Sequence, residues 1–431
     1  MRRAWLLLLL SIATSALPLH ADDPAPITDA EIATLIQQLT TEDFDLRQAA
    51  SKRLAENLVR AEPALGAILD TTKDPELRSR LEGLIPTGAV TWTFEAGYLF
   101  GQPVVQDKHL YVANKDETFF CLDADSGEKI WAAQIGGLMF HSPAVGEGAV
   151  VTIRTRKDGR KDGTVFCLDA DSGEERWRFR GRDSQTFTSP AISEGRIYFA
   201  CEELLMCLSL VDGSKLWEFA ADELLLSPPA LKDGKVYVGG LDRKLHCVDA
   251  KTGKQVWEFE TQGPVYAGAT LAKDRVYFGS QDQFAYALDA ATGKELWKFD
   301  SGGRINGGLA LANEMLYFGT DTGTFHALKA GDGTSLWNVK TNGVIYGPAA
   351  VASDRIYFGS INNKLTLYCL ETANGKTAWT FETKEAGYVW PVLTGRRLYV
   401  GYHSIFYALR TNKNGPPAWP MMSGNPARTG Q

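Results

Sequence analysis

Residues 285–299 read AYALDAATGKELWKF. Apolar residues alternate up to Leu288. Asp289, Thr292 and Gly293 then supply turn chemistry, and a second alternating run is led by Trp297. This is one hairpin, and the chain repeats it. Its tryptophans recur as Trp92, Trp131, Trp177, Trp217, Trp257, Trp297, Trp337, Trp379 and Trp419, at gaps of 39, 46, 40, 40, 40, 40, 42 and 40 residues. Gly127, Gly173, Gly213, Gly253, Gly293, Gly333 and Gly375 each stand four residues before a Trp, where a tight turn needs positive φ. A second hairpin lies upstream in each unit, marked by runs such as Val236-Tyr237-Val238 and Ile356-Tyr357-Phe358. An all-β repeat of about 40 residues is the period of a propeller blade.

The inner units number eight, from Leu110-Tyr111-Val112 to Leu398-Tyr399-Val400. Only seven tryptophan strands follow them internally, so one chain end supplies the eighth. Val90-Thr91-Trp92-Thr93-Phe94 has the outer-strand pattern. The Trp419 stretch is flanked by Pro417 and Pro420, which cannot donate to a ladder. The expected fold is therefore mainly β: an eight-bladed propeller of four-stranded blades, closed by the Trp92 strand.

The motif AxDxxTGxxxWxF, clearest at Ala287 to Phe299, resembles the quinoprotein (PQQ-like) β-propeller repeat over residues 90–431. The eight-bladed propeller of outer-membrane protein assembly is similar, and that resemblance implies a non-catalytic scaffold. The repeat's other branch implies the alternative, a PQQ-dependent dehydrogenase oxidising an alcohol or sugar. That branch carries adjacent cysteines and large insertions that build its site. This chain has neither, and no cofactor is expected.

A different pattern precedes the propeller. Thr28-Asp29-Ala30-Glu31 reads as a capping box, and Ile32, Leu35, Ile36 and Leu39 follow at helical spacing. The stretch Asp43 to Leu54, with Asp74-Pro75-Glu76-Leu77-Arg78 later, resembles HEAT-type helical repeats. A small all-α domain is expected over 27–86, with the propeller over 88–431. Residues 1–21, basic then apolar then ending Leu19-His20-Ala21, read as a signal peptide. The mature chain is then periplasmic or secreted, without a transmembrane segment.

The formal charge is −7, and it becomes −9 if Arg2 and Arg3 leave with the signal. That argues against nucleic acid as a partner. Cys121, Cys167, Cys207, Cys247 and Cys369 share one repeat position and read as small core residues. Cys201 lies outside that register, which leaves a disulfide with Cys207 open. The Asp-rich turns lack the later ligands of a calcium loop, and no residue is expected to be catalytic or to bind a metal.

Two candidate binding elements remain. Counting back ten residues from each central hairpin gives Phe100, Phe140, Phe187, Leu226, Tyr266, Asn306, Tyr346 and Tyr388. These fall in the loops joining blades and should ring the channel mouth, with His141, Arg304 and Trp390 close by. Such a ring suits a protein or peptide partner in the cell envelope, or a small ligand in the channel. The second element is the insertion in blade 2, where Arg154, Arg156, Arg160 and Lys161 read as an exposed basic loop for an acidic partner.

Overall fold

The computed structural model describes residues 27–84, 90–97, 102–114, 117–157, 160–181, 187–352, 354–382, 390–394, 397–402 and 405–411. The expected signal peptide, Phe100, Tyr388 and the Trp419 stretch lie outside them. The chain divides into two compact units, Met1–Leu84 and Ile85–Gln431.

The first unit holds four helices: α1 (Asp29–Gln38), α2 (Phe44–Glu56), α3 (Leu58–Thr71) and α4 (Pro75–Leu84). Thr28 caps α1 by accepting from the Glu31 N–H at 3.2 Å. Two turns repeat one device. Asp43 caps α2 by accepting from the Asp45 and Leu46 amides, while Arg47 donates back to the Thr41 carbonyl. Asp74 caps α4 through the Glu76 and Leu77 amides, while Arg78 donates to the Thr72 carbonyl. The unit is thus a pair of like helical hairpins.

The second unit is a wheel of eight four-stranded antiparallel blades. Blade 4 shows the plan: Ala230–Lys232, Lys235–Gly239, Lys244–Asp249 and Gln255–Glu260 pair in that order. The short first strands of neighbouring blades approach one another, including blade 1 against blade 8, so they form the hub. Blade 8 takes its outer strand from Val90–Glu95, which pairs with Ile405–Arg410.

The tryptophans join blade to blade. Seven indole N–H groups each donate to a turn carbonyl of the following blade, for example Trp257 to Ala290 at 3.2 Å and Trp92 to Ala124 at 3.2 Å. The turn carbonyls are held in place locally. Asp289 Oδ1 accepts from the Thr292 hydroxyl and from the Ala291 and Thr292 amides, and the Thr292 hydroxyl leads in holding this carboxyl below its usual range. Arg196 and Arg275 reach across to the next blade's turn carbonyls as further clamps.

The six cysteines are buried thiols. The ladder sets Cys201 opposite Leu204 and Cys207 opposite Tyr198, so these two do not face each other. Burial raises the Cys207 thiol to about 11, which keeps it protonated and inert.

His326 is a buried titratable group within blade 6, 6% exposed. Its Nε2 lies 3.2 Å from the Ser301 carbonyl, and its ring stacks on Phe318. Burial pulls its pKa down to about 4, against about 6.5 in an unfolded chain. Between those values the unfolded state binds a proton that the folded state does not. Stability therefore falls as pH drops through this window, by up to about 3 kcal/mol. In blades 1 and 2 the same register holds Phe120 and Phe166. The His326→Phe variant should keep its urea midpoint from pH 7 to about 4.5 better than the parent. Parallel losses in the two proteins would mean that His326 does not carry the effect.

Candidate functional site

Among the described residues, the connections from an outer strand to the first strand of the next blade lie at one end of the wheel. In five of them the residue before the ring position anchors the loop: Met139, Leu225, Val265, Ile305 and Ile345 are fully buried. Alternation then turns the next side chain away from that anchor. Phe140, Leu226, Tyr266 and Asn306 are half-buried, and Tyr346 is 39% exposed. The loops are pinned by their own hydroxyls. Thr261 donates to the Gly263 carbonyl at 2.7 Å, and Thr341 to that of Gly343 at 2.9 Å.

The loops that carry Asn306 and Tyr346 touch. A Cβ on Gly307 would stand 2.8 Å from the carbonyl oxygens of Tyr346 and Gly347, so only glycine lets the two loops approach. On the other side of the hub a chain of hydroxyls links blades 1, 2 and 3. The Gln102 N–H donates to Ser142 Oγ at 2.7 Å, and the Ser142 N–H to Ser189 Oγ at 3.1 Å. This inner row sits two residues after the ring positions. Trp390 shares that register and is half-buried.

The sector of blades 5 and 6 is polar. Gln281 Nε2 donates to Asn306 Oδ1 at 2.9 Å. Asp321 Oδ1 accepts from the backbone N–H of Arg304 at 2.8 Å, leaving that guanidinium on an exposed residue. Asp282 accepts from the Gln262 N–H and the Tyr286 hydroxyl. Burial and this carboxylate together push the Tyr286 phenol far above its usual range, burial first.

Two sequence expectations change. Phe187 is buried, 4% exposed, and stacks on Phe199, so it is a wedge between blades. It forms a bridge with Cys201 and so joins the core ladder. The blade-2 insertion is not a loop. It lengthens a hairpin of Ala149–Lys157 and Arg160–Asp169, paired out to Arg156↔Lys161 and Lys157↔Arg160. Arg154 is not exposed, because its strand position is a covered one: the equivalent residues Asn114, Cys201, Ser280, Thr320 and Ser360 are buried as well. It is 7% exposed, donates to the Ile135 carbonyl at 2.8 Å and lies over the Phe166 ring. Arg156, Arg160 and Lys161 stand further out on that ladder.

Phe140, His141, Tyr266, Arg304, Asn306 and Tyr346 lie in the connections between blades, and Trp390 stands just before the first strand of blade 8; direct contacts between connections join the loop of Asn306 to that of Tyr346 and Gln102 to Ser142 and Ser189. The sequence reading missed Gln281, which orients Asn306, and the inner row of Gln102, Ser142 and Ser189. The row could have been found by carrying the repeat register two residues further. Among the described residues, no three His, Cys, Asp or Glu side chains group to hold a metal ion. The ring positions supply hydrogen-bonding and aromatic surface but no carboxylate base.

The family model described as outer membrane protein assembly factor BamB matches residues 78–217, 202–298 and 281–426. No curated protein matches the chain by sequence. Among solved structures, BamB from Moraxella catarrhalis superposes with a TM-score of 0.65 at 15% identity, covering 75% of this chain and 99% of that one. The computationally designed Ika8 protein gives 0.64 at 16% identity, over 75% of this chain and 100% of that one. Sqt1 from Saccharomyces cerevisiae gives 0.64 at 11%, over 76% and 100%. At such identities these likenesses concern the fold alone.

Proposed function

This chain belongs to the outer membrane protein assembly factor BamB family, and from that premise we propose that it is an exported scaffold of the cell envelope. It holds a protein or peptide partner against the connecting-loop face of the wheel and performs no chemical step on it. The reading 1–21 as a signal peptide supports export, and no described helix is long and apolar enough to cross a membrane.

The observation that carries this reading is the ring itself. Its backbone is anchored by buried aliphatics, while Tyr266 and Tyr346 offer rigid aromatic surface beside the polar Asn306–Gln281 pair. Aromatic rings with polar tips on a fixed frame give contact area at low entropic cost. The extended basic hairpin of blade 2 serves as a second contact for an acidic stretch of the partner.

The test is the double variant Tyr266→Ala/Tyr346→Ala in affinity capture from the native envelope fraction. A partner retained by the parent should be lost by at least about tenfold, since two interface aromatics commonly carry more than 2 kcal/mol. The urea midpoint should move little. Unchanged capture with a clear loss of stability would make the ring a packing element and place the binding surface elsewhere.

A further inference from the structure

Arg196 and Arg275 are not alone in reaching the next blade's turn. Lys235 donates to the Ala290 carbonyl beside Asp289, and Arg397 pairs with Asp125 in the turn of blade 1. These turns commonly open on an acid, as at Asp123, Asp169, Asp249 and Asp289. At the seam of blades 5 and 6 both acidic positions are lost. Lys329 stands where blade 5 has Asp289, and Gly331 stands where blade 1 has Asp125. Arg275 nevertheless reaches in, donating through Nη1 to the Ala330 and Gly331 carbonyls at 3.2 and 2.6 Å.

Two bases therefore meet here without the usual carboxylate. Neither Arg275 nor Lys329 joins an ion pair among the described residues. A Cβ on Gly331 would meet nothing within 4 Å, so the place that the Asp125 side chain fills in blade 1 is open space. Blade 8 also opens its turn on a base, Arg410, but that side chain is 1% exposed, and the clamp residue of blade 7, Arg355, pairs with Asp354 at 3.3 Å. Between blades 5 and 6 the space widens into a cleft of about 930 Å³, within the range of small-molecule sites. It lies among the turns that end the first strands, at the end of the wheel opposite the connections, and the apolar Met315 and Leu336 line it too.

We propose that this cleft binds a small organic monocarboxylate. Its carboxylate takes the place that Asp125 holds in blade 1, against Arg275 with Lys329 nearby, and an apolar chain lies on Met315 and Leu336. Arginine pairs with a carboxylate through fixed donors, and the two carbonyl bonds at Nη1 use only part of the fork. Methionine adapts to the shape of such a chain. A single charge is favoured over a phosphate dianion, because Asp274, Glu314 and Asp332 line the cleft as well as Lys273, Arg275 and Lys329. A second negative charge would meet those carboxylates. The cleft lies away from the ring, and the inference does not depend on the ring's role.

The probe is N-acetylleucine, titrated calorimetrically into the full chain, with its amide as the control. The carboxylate should bind saturably, and the amide should bind at least about tenfold more weakly for want of the charge-assisted pair. Gly331→Asp builds into the turn the carboxylate that blade 1 carries at Asp125, at a backbone position that accepts a side chain. It should cut affinity at least about tenfold while the melting temperature holds or rises. Lys329→Ala should weaken binding at an unchanged melting temperature, and Tyr266→Ala/Tyr346→Ala should leave affinity as it is. An acetylated peptide ending in leucine separates two sources of the carboxylate. Tighter binding than N-acetylleucine would support the cleft and name a chain terminus as its ligand, and equal affinity would support it and name a free small carboxylate. No saturable binding of either carboxylate up to about 10 mM, equal affinity for the amide, or full affinity in Gly331→Asp would each overturn the proposal.

Discussion

A chain lacking Val90–Glu95 should fail to accumulate as a soluble monomer. This strand closes the ring, pairing along Ile405–Arg410 from Val90↔Leu409 to Glu95↔Ile405. Trp92 packs against Tyr399 and Phe406, and its indole N–H bonds to blade 1. Thr91 adds a hydroxyl bond to the Ala408 carbonyl at 3.1 Å. Loss of the Trp92 side chain alone should cost about 3–5 kcal/mol. Loss of the whole strand also leaves Ile405–Arg410 as an open edge flanked by apolar side chains, which is an aggregation site. Size-exclusion chromatography with light scattering reads the result. A monodisperse monomer with the parent's urea midpoint would show that blade 8 closes without this strand.

Gly293→Ala should lower stability by about 3 kcal/mol. Gly293 sits at φ +72°, and a Cβ there would stand 2.7 Å from Cδ2 of the Trp257 indole. Two costs combine: a left-handed conformation forced on a residue with a Cβ, about 1–2 kcal/mol, and displacement of a packed indole, about 1–3 kcal/mol. Neither is relieved by moving the turn, because its carbonyl at Ala290 holds Trp257 and Trp257 is 9% exposed. Equilibrium unfolding in urea measures the loss. A change under about 1 kcal/mol would mean that the blade junction shifts to admit the methyl group. Ala291→Gly, two residues earlier on the exposed side of the same turn, is the control and should be near neutral.

Much of the molecule was legible in advance because its constraints are local and repeated. A glycine at one offset from each tryptophan records a turn that needs positive φ. Alternation before it records a strand with one covered face. Eight copies of that unit leave one closed solution, and the prolines around Trp419 assign the closing strand to Trp92. The connecting loops were legible as positions for the same reason, since the repeat register carries through them to Tyr266 and Tyr346.

What each side chain does there was not legible. Phe140, Phe187 and Tyr346 occupy one register, yet Phe187 bridges Cys201 and lies buried against Phe199, while Tyr346 is exposed. Arg154 looked like part of a solvated basic run. It is buried because its strand position is covered in the other blades too, as at Asn114, Ser280 and Thr320, and a carbonyl at Ile135 with the Phe166 ring meets the guanidinium. Likewise Ile130, Leu216, Val256, Leu296 and Leu336 are 40–47% exposed although each adjoins a Trp. A bulge before each of these tryptophans turns that residue outward. By itself, then, the sequence determined the number of blades, the turns and the closing strand, since these rest on backbone conformation and periodicity within one blade. Tertiary structure alone decided which ring residues face solvent and what meets the buried Arg154, because these depend on contacts that the repeat register does not specify, such as Phe187 on Phe199 and Arg154 with the Ile135 carbonyl.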